Sequence, residues 1–151
     1  IHERLYQSKD LARIDFREYA EALIKGLFRS HGVDSLQIVP ILAIEDVSLG
    51  LDRAIPCGLI INELVSNSLK YAFPGDRKGE ISVTLRSTTE REIELKVSDD
   101  GIGIPADLDI VNTGSLGLDL VTILAEDQLE GKMDLDRTGG TTFRILFKEK
   151  V

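Results

Sequence analysis

Two short runs set the terms for this chain. In Ile81-Ser-Val83-Thr-Leu85, and again in Ile93-Glu-Leu95-Lys-Val97, every second residue is apolar and those between are polar. Side chains of an extended strand point alternately to opposite faces, so each run buries one face only. With a polar stretch between them they predict an antiparallel β-hairpin. A second alternation places Met133 and Leu135 before, and Phe143, Ile145 and Phe147 after, the pair Gly139-Gly140. It predicts a closing hairpin.

The remaining apolar residues follow helical spacing. Leu5, Leu11, Ile14, Tyr19, Ala22, Leu23 and Leu27 recur mostly every three or four positions, so the first thirty residues are expected to be helical. Ser8 and Asp10 are candidate N-caps where a short leading helix gives way to a longer one, and Ser30-His31-Gly32 is the stop. Residues 36–47 predict a strand pair, or one strand kinked at Pro40. From residue 52 to about 73 the pattern is helical again, and Pro74-Gly75-Asp76 ends it. A glycine-rich loop over 99–114 leads into a helix from about 116 to 129. Helices interspersed with hairpins predict an α+β layer architecture, a mixed or antiparallel sheet with helices on one face. No internal repeat or interdomain linker interrupts it, and 151 residues make one domain.

Charge narrows the partners. Eighteen basic and 26 acidic residues give a net charge of −8, the wrong balance for a nucleic-acid surface. Any polyanion that binds has to be met by local donors or a metal ion. Nowhere does the sequence hold the about 18 consecutive apolar residues that a membrane helix needs. Cys57 is the only cysteine, so no internal disulfide forms; it is expected in the core, in a protein of a reducing compartment. The chain opens at Ile1 with its only methionine at Met133, which reads as a piece of something longer, without a signal-peptide pattern. The two histidines, His2 and His31, lack the spacing of a zinc site or a serine triad. P-loop and protein-kinase signatures are missing as well.

Four stretches carry candidate chemistry. On the helix over residues 62–71, at about 100° per residue, Glu63, Asn67 and Lys70 fall within roughly 60° of one another. They offer oxygen ligands to a hard cation and an ammonium to phosphate; an amphipathic helix has a solvated polar face in any case. Second comes Asp99-Asp100-Gly101-Ile102-Gly103 at the end of a strand. There the glycines allow close approach to a flat or anionic ligand, and Asp99 can accept a hydrogen bond from an exocyclic amine. Residues 101–106 also satisfy G-x-G-x-x-A, but no long helix follows Pro105, so the dinucleotide fingerprint is rejected. Third, Gly114-Ser115-Leu116-Gly117 precedes a helix whose first amides can meet phosphate. Fourth, Gly139-Gly140-Thr141 enters the last strand. Each of these three also reads as an ordinary turn or cap.

In this order and spacing, residues 62–71, Asp99-x-Gly101-x-Gly103, Gly114-x-x-Gly117 and Gly140-Thr141 resemble the ATP-binding catalytic domain of sensor histidine kinases. That group lies within the Bergerat-fold superfamily shared with DNA gyrase and MutL. The resemblance runs from about residue 36 to 147. Ile1-His2-Glu3-Arg4-Leu5-Tyr6, with residues 10–19, resembles a subfamily with an atypical phosphoacceptor region and a short nucleotide lid. The resemblance implies a two-layer α/β sandwich, with a mostly antiparallel mixed sheet of about five strands under about three helices. Residues 1–30 would be the end of the dimerisation region and 31–151 the ATPase domain.

It also implies roles. Asn67 would ligate Mg²⁺, Glu63 would order metal-bound water, and Lys70 would meet the phosphates of ATP. Tyr71 would line the nucleotide. Asp99 would accept the adenine amino group, with Gly101 and Gly103 shaping that wall and Thr141 supporting it. Gly114, Ser115 and Gly117 would cradle the phosphates. The γ-phosphoryl would pass to a histidine upstream of this fragment, on the parent's dimerisation helices, and from there to a response-regulator receiver domain. The domain would be cytoplasmic, its parent, soluble or membrane-anchored, a homodimer, and the fragment a monomer. Two departures stand beside this: the stretch between Gly103 and Gly114 leaves room for a short lid only, and His2 does not match the accepting histidine. A serine kinase of the anti-sigma type and a non-catalytic nucleotide-binding module are the alternatives.

Overall fold

Both hairpins are present and share one sheet. The computed structural model describes residues 13–34, 36–89, 91–103 and 118–149. In chain order these form β1 (Arg13–Asp15), α1 (Phe16–Ser30), β2 (Ile38–Ile44), β3 (Ser48–Gly50) and α2 (Leu51–Asn67), which runs into a π-helical turn at Ser68–Ala72. Then come β4 (Gly79–Thr89), β5 (Glu92–Asp99), α3 (Leu118–Ile123) with a second π-helical turn at Leu124–Gln128, β6 (Lys132–Asp136) and β7 (Thr141–Lys148). Five strands lie in the order β2-β4-β5-β7-β6. Only β2 and β4 are parallel; the other three pairings are antiparallel. The result is an α+β sandwich with a mixed five-stranded sheet, as the family resemblance implied.

The alternation sorts the faces. Ile81, Val83, Leu85, Ile93, Leu95, Val97, Phe143, Ile145 and Phe147 are buried against Phe16, Ala20 and Ile24 of α1 and Ile60, Ile61 and Leu64 of α2. Cys57 joins this core and is fully buried, which pushes its thiol pKa far up. Among described residues no helix is long and apolar enough to cross a membrane.

Two expectations need correcting. The first thirty residues are not continuously helical: Arg13–Asp15 is a strand paired antiparallel with Ser48–Gly50. Tertiary contacts override the helical spacing there. Arg13 donates to the Ser48 carbonyl at 2.7 Å and pairs with Glu149 at 2.7 Å, and the Phe16 amide donates to the Val47 carbonyl. The helix begins one residue after Asp15, whose Oδ1 accepts from the Glu18 amide at 3.3 Å. Ser8 and Asp10, expected as caps, lie outside the described residues.

Residues 36–47 form neither a hairpin nor a kinked strand. β2 passes straight through Pro40, and Ser48–Gly50 pairs with β1 instead. The Gly79 amide donates to the Gln37 carbonyl and the Glu45 amide to the Leu85 carbonyl, both at 2.9 Å. Odd-numbered residues of β2 therefore face β4. Pro40 points its missing N–H to the open edge, where a proline costs no ladder bond.

On the sheet face away from the helices, Glu94 is only 1% exposed. Arg86 Nε donates to its Oε1 at 3.0 Å, and Arg144 Nε donates to Oε2. Burial works against ionisation of this carboxyl, but the hydrogen bonds and charge of Arg144 and Arg86 outweigh it and hold its pKa below the usual value.

Candidate nucleotide site

The end of α2, the end of β5 and the start of β7 meet at one carboxylate. Asp99 is the last residue of β5, opposite Ile81 of β4 on one side and Thr141 of β7 on the other. Asp99, Thr141 and Ser68 are all buried. A buried carboxylate needs donors. Ser68 Oγ–H donates to Asp99 Oδ2 at 2.8 Å, and the Gly101 amide donates to Oδ1 at 3.0 Å. Each carboxylate oxygen has further acceptor capacity, so Asp99 is held in place while still able to receive an amine. Its neighbour Asp100 fastens the same corner to β4, its Oδ1 accepting from the Glu80 amide at 2.7 Å.

Two glycines make this packing possible. A Cβ on Gly101 would run into the carbonyl of Ala72, and that same carbonyl accepts from the Ile102 amide at 3.0 Å. At Gly140 φ is +123°, and a Cβ would strike the Asp99 carbonyl and sit 2.9 Å from Asp100 Cα. Gly103 lies against Gly140 in turn: a Cβ on it would stand 3.2 Å from the Gly140 carbonyl oxygen. The Asp-x-Gly-x-Gly turn and the Gly139-Gly140 turn are therefore stacked at the sheet end, with the π-helical turn of Ser68–Ala72 closing the third side.

The helix residues distribute as follows. Glu63 and Asn67 are half-buried, one turn apart on α2. Lys70 and Tyr71 are exposed and belong to the π-helical turn, not to the α-helix. Such a turn bonds i to i+5 and rotates less per residue, so the angular grouping of Lys70 with Asn67 derived from 100° steps does not carry over. π-bulges of this kind are frequent at functional sites.

Ser68 is the residue at this corner that sequence reasoning missed. It falls on the apolar arc of the helix with Leu64 and Leu69; a hydroxyl on a core-facing arc demands a buried partner, and that was the available signal. Gly114, Ser115 and Gly117 lie outside the described residues. Among the described residues no three His, Cys, Asp or Glu side chains cluster as a metal site. Asn67 alone supplies too few ligands for a bare cation. It suits Mg²⁺, which keeps several waters and shares its ligands with substrate phosphates.

The model of the family described as histidine kinase-, DNA gyrase B-, and HSP90-like ATPase matches residues 53–151. The chain belongs to that ATPase family. Residues 1–31 match a second family model, described as histidine kinase. The sensor histidine kinase PdtaS of Mycobacterium tuberculosis is 36% identical over 89 residues, covering 58% of this chain and 17% of that protein. Blue-light-activated histidine kinase 2 of Erythrobacter litoralis is 31% identical over 102 residues, 67% of this chain and 29% of that one. The chain thus spans less than a third of either relative. Among solved structures, the histidine kinase domain of an Erythrobacter litoralis blue-light-activated histidine kinase superposes with a TM-score of 0.81 at 25% identity, over 96% of this chain and 70% of that one. Acinetobacter baumannii histidine kinase AdeS shares the fold with a TM-score of 0.74 at 20% identity, over 92% of this chain and 67% of that one.

Proposed function

We propose that this domain binds Mg-ATP at the Asp99 corner and transfers the γ-phosphoryl to a histidine on the dimerisation helices of its parent kinase. The observation that carries this reading is the fixed, buried Asp99 carboxylate, held by Ser68 and the Gly101 amide beside Thr141. Asp99 accepts the adenine amino group. Gly101 and Gly103 form the wall against the ring, and Thr141 steadies Asp99 from the neighbouring strand. Tyr71 covers the nucleotide from the helix side. Lys70 brings its ammonium to the phosphates from the exposed π-helical turn, and Asn67 offers its amide oxygen to Mg²⁺. Glu63, one turn earlier, would order water around a bound Mg²⁺.

When bound, Mg²⁺ supplies charge neutralisation for a tetra-anion on a chain of net charge −8. The protein's own part in phosphoryl transfer is positioning: it fixes the base, orients the phosphates and leaves the γ end open to an incoming imidazole. Residues 1–30 are read as the end of the dimerisation region and 31–151 as the ATPase domain. A receiver domain is the next acceptor. The match of residues 1–31 to a histidine kinase model and the PdtaS similarity support histidine as acceptor. Listeria innocua serine-protein kinase RsbW, 32% identical over 83 residues, 46% of this chain and 52% of that one, marks the alternative.

Calorimetric titration with a non-hydrolysable ATP analogue tests the site. Binding is expected with Mg²⁺ and is lost in Asp99→Asn and in Asn67→Asp; unchanged affinity in both variants overturns the assignment. Supplying the parent's histidine-bearing helices with labelled ATP tests the reaction. Label on histidine supports it, and label on serine of an added protein substrate moves the chain to the RsbW side.

A further inference from the structure

At the opposite end of the sheet lies a cleft of about 640 Å³, in the size range of small-molecule sites. It stands apart from the nucleotide corner: β5 runs from Glu92 at the cleft to Asp99 at the corner, roughly 23 Å at strand rise. Leu129, Leu146 and Phe147 give it an apolar wall, and Lys132 and Lys148 stand at its rim.

Arg53, in the first turn of α2, reaches into this end of the molecule and is 6% exposed. Its Nη1 donates to the Gln128 carbonyl at 3.1 Å, where α3 and its π-helical turn finish. Its Nε is buried with no hydrogen-bond partner, the only such side-chain nitrogen or oxygen among the described residues. A buried cationic donor without an acceptor is costly. The nearby carboxylates do not relieve it. Glu149 is paired with Arg13 at 2.7 Å, Glu92 Oε1 accepts from the Thr88 hydroxyl at 3.0 Å, and Glu130 is exposed.

The Nε edge of a guanidinium is a fork matched to a carboxylate. We propose that this cleft is a second binding site, taking a small carboxylate that carries an apolar group. The carboxylate seats on the guanidinium of Arg53 where it lines the cleft, and the apolar part lies against Leu129, Leu146 and Phe147. With Nη1 committed to Gln128, the guanidinium cannot swing to solvent without uncapping the α3 end, so the acceptor has to come to it.

Octanoate and its neutral isostere octanamide, titrated into the chain and followed by amide NMR shifts, test this. Octanoate is expected to shift Leu129, Gly131 and Phe147 saturably, and to bind at least about tenfold more tightly than octanamide. In Arg53→Met that preference disappears while nucleotide binding at Asp99 is retained. Equal affinity for the two probes overturns the proposal, as do shifts scattered over the surface or no saturation at millimolar concentrations. Should Arg53→Met fail to fold, the ratio of the two probes in the unaltered chain decides alone.

Discussion

Ser68 and Gly140 hold Asp99 by different means, and their replacements should fail differently. Ser68→Ala removes the 2.8 Å hydrogen bond and leaves a buried carboxylate oxygen short of a donor. The expected loss is about 1–3 kcal/mol of stability, read by urea denaturation, together with weaker nucleotide binding. Gly140→Ala brings a methyl into the Asp99 carbonyl at a φ that side chains rarely adopt. A loss of about 2 kcal/mol or more is expected, and denaturation as stable as the parent's would show that the two turns are not stacked so tightly. At this scale the sequence was readable where residues are short-range punctuation: Asp99, Gly101, Gly103 and Thr141 sit together as their order implied. Ser68 was not, because its partner is 31 residues away and its own surroundings in sequence look like core.

Elements were legible where their period was unambiguous. The four strands of the two hairpins came out of simple alternation. The β1–β3 pair did not, since three residues are too few to display a period and Ile14 suits a helix equally well. The π-helical turn at Ser68–Ala72 escaped for a similar reason, because nothing in residues 68–72 distinguishes an i+5 bond from an i+4 bond. Two predictions belong here. Asp15→Ala should cost α1 about 1 kcal/mol, measured as a lowered urea midpoint with unchanged slope; no change would mean that the observed 3.3 Å cap is unimportant. For Glu94 the sign follows from its lowered folded-state pKa. The ionised, Arg-paired form stabilises the fold above the ordinary carboxylate pKa of about 4.3, and that contribution is lost as pH falls below it. Glu94→Gln should therefore be less stable than the parent near neutral pH, and the gap should narrow in acid. A gap that widens in acid would contradict the pairing.

For the whole molecule, ligand and fold are thermodynamically linked. An ATP analogue with Mg²⁺ at a hundred times its dissociation constant should raise the unfolding free energy by about 2.7 kcal/mol, seen as a higher melting temperature. The rise should vanish in Asp99→Asn and shrink without Mg²⁺; an equal rise without the metal removes Mg²⁺ from the account. One contact at the far end gives the molecule a mechanical character. Arg13 grips Glu149 and the Ser48 carbonyl, and Glu149 directly follows β7, whose first residue is Thr141. The residues that lead into α1 are therefore tied to one end of a continuously paired strand whose other end lies beside Asp99.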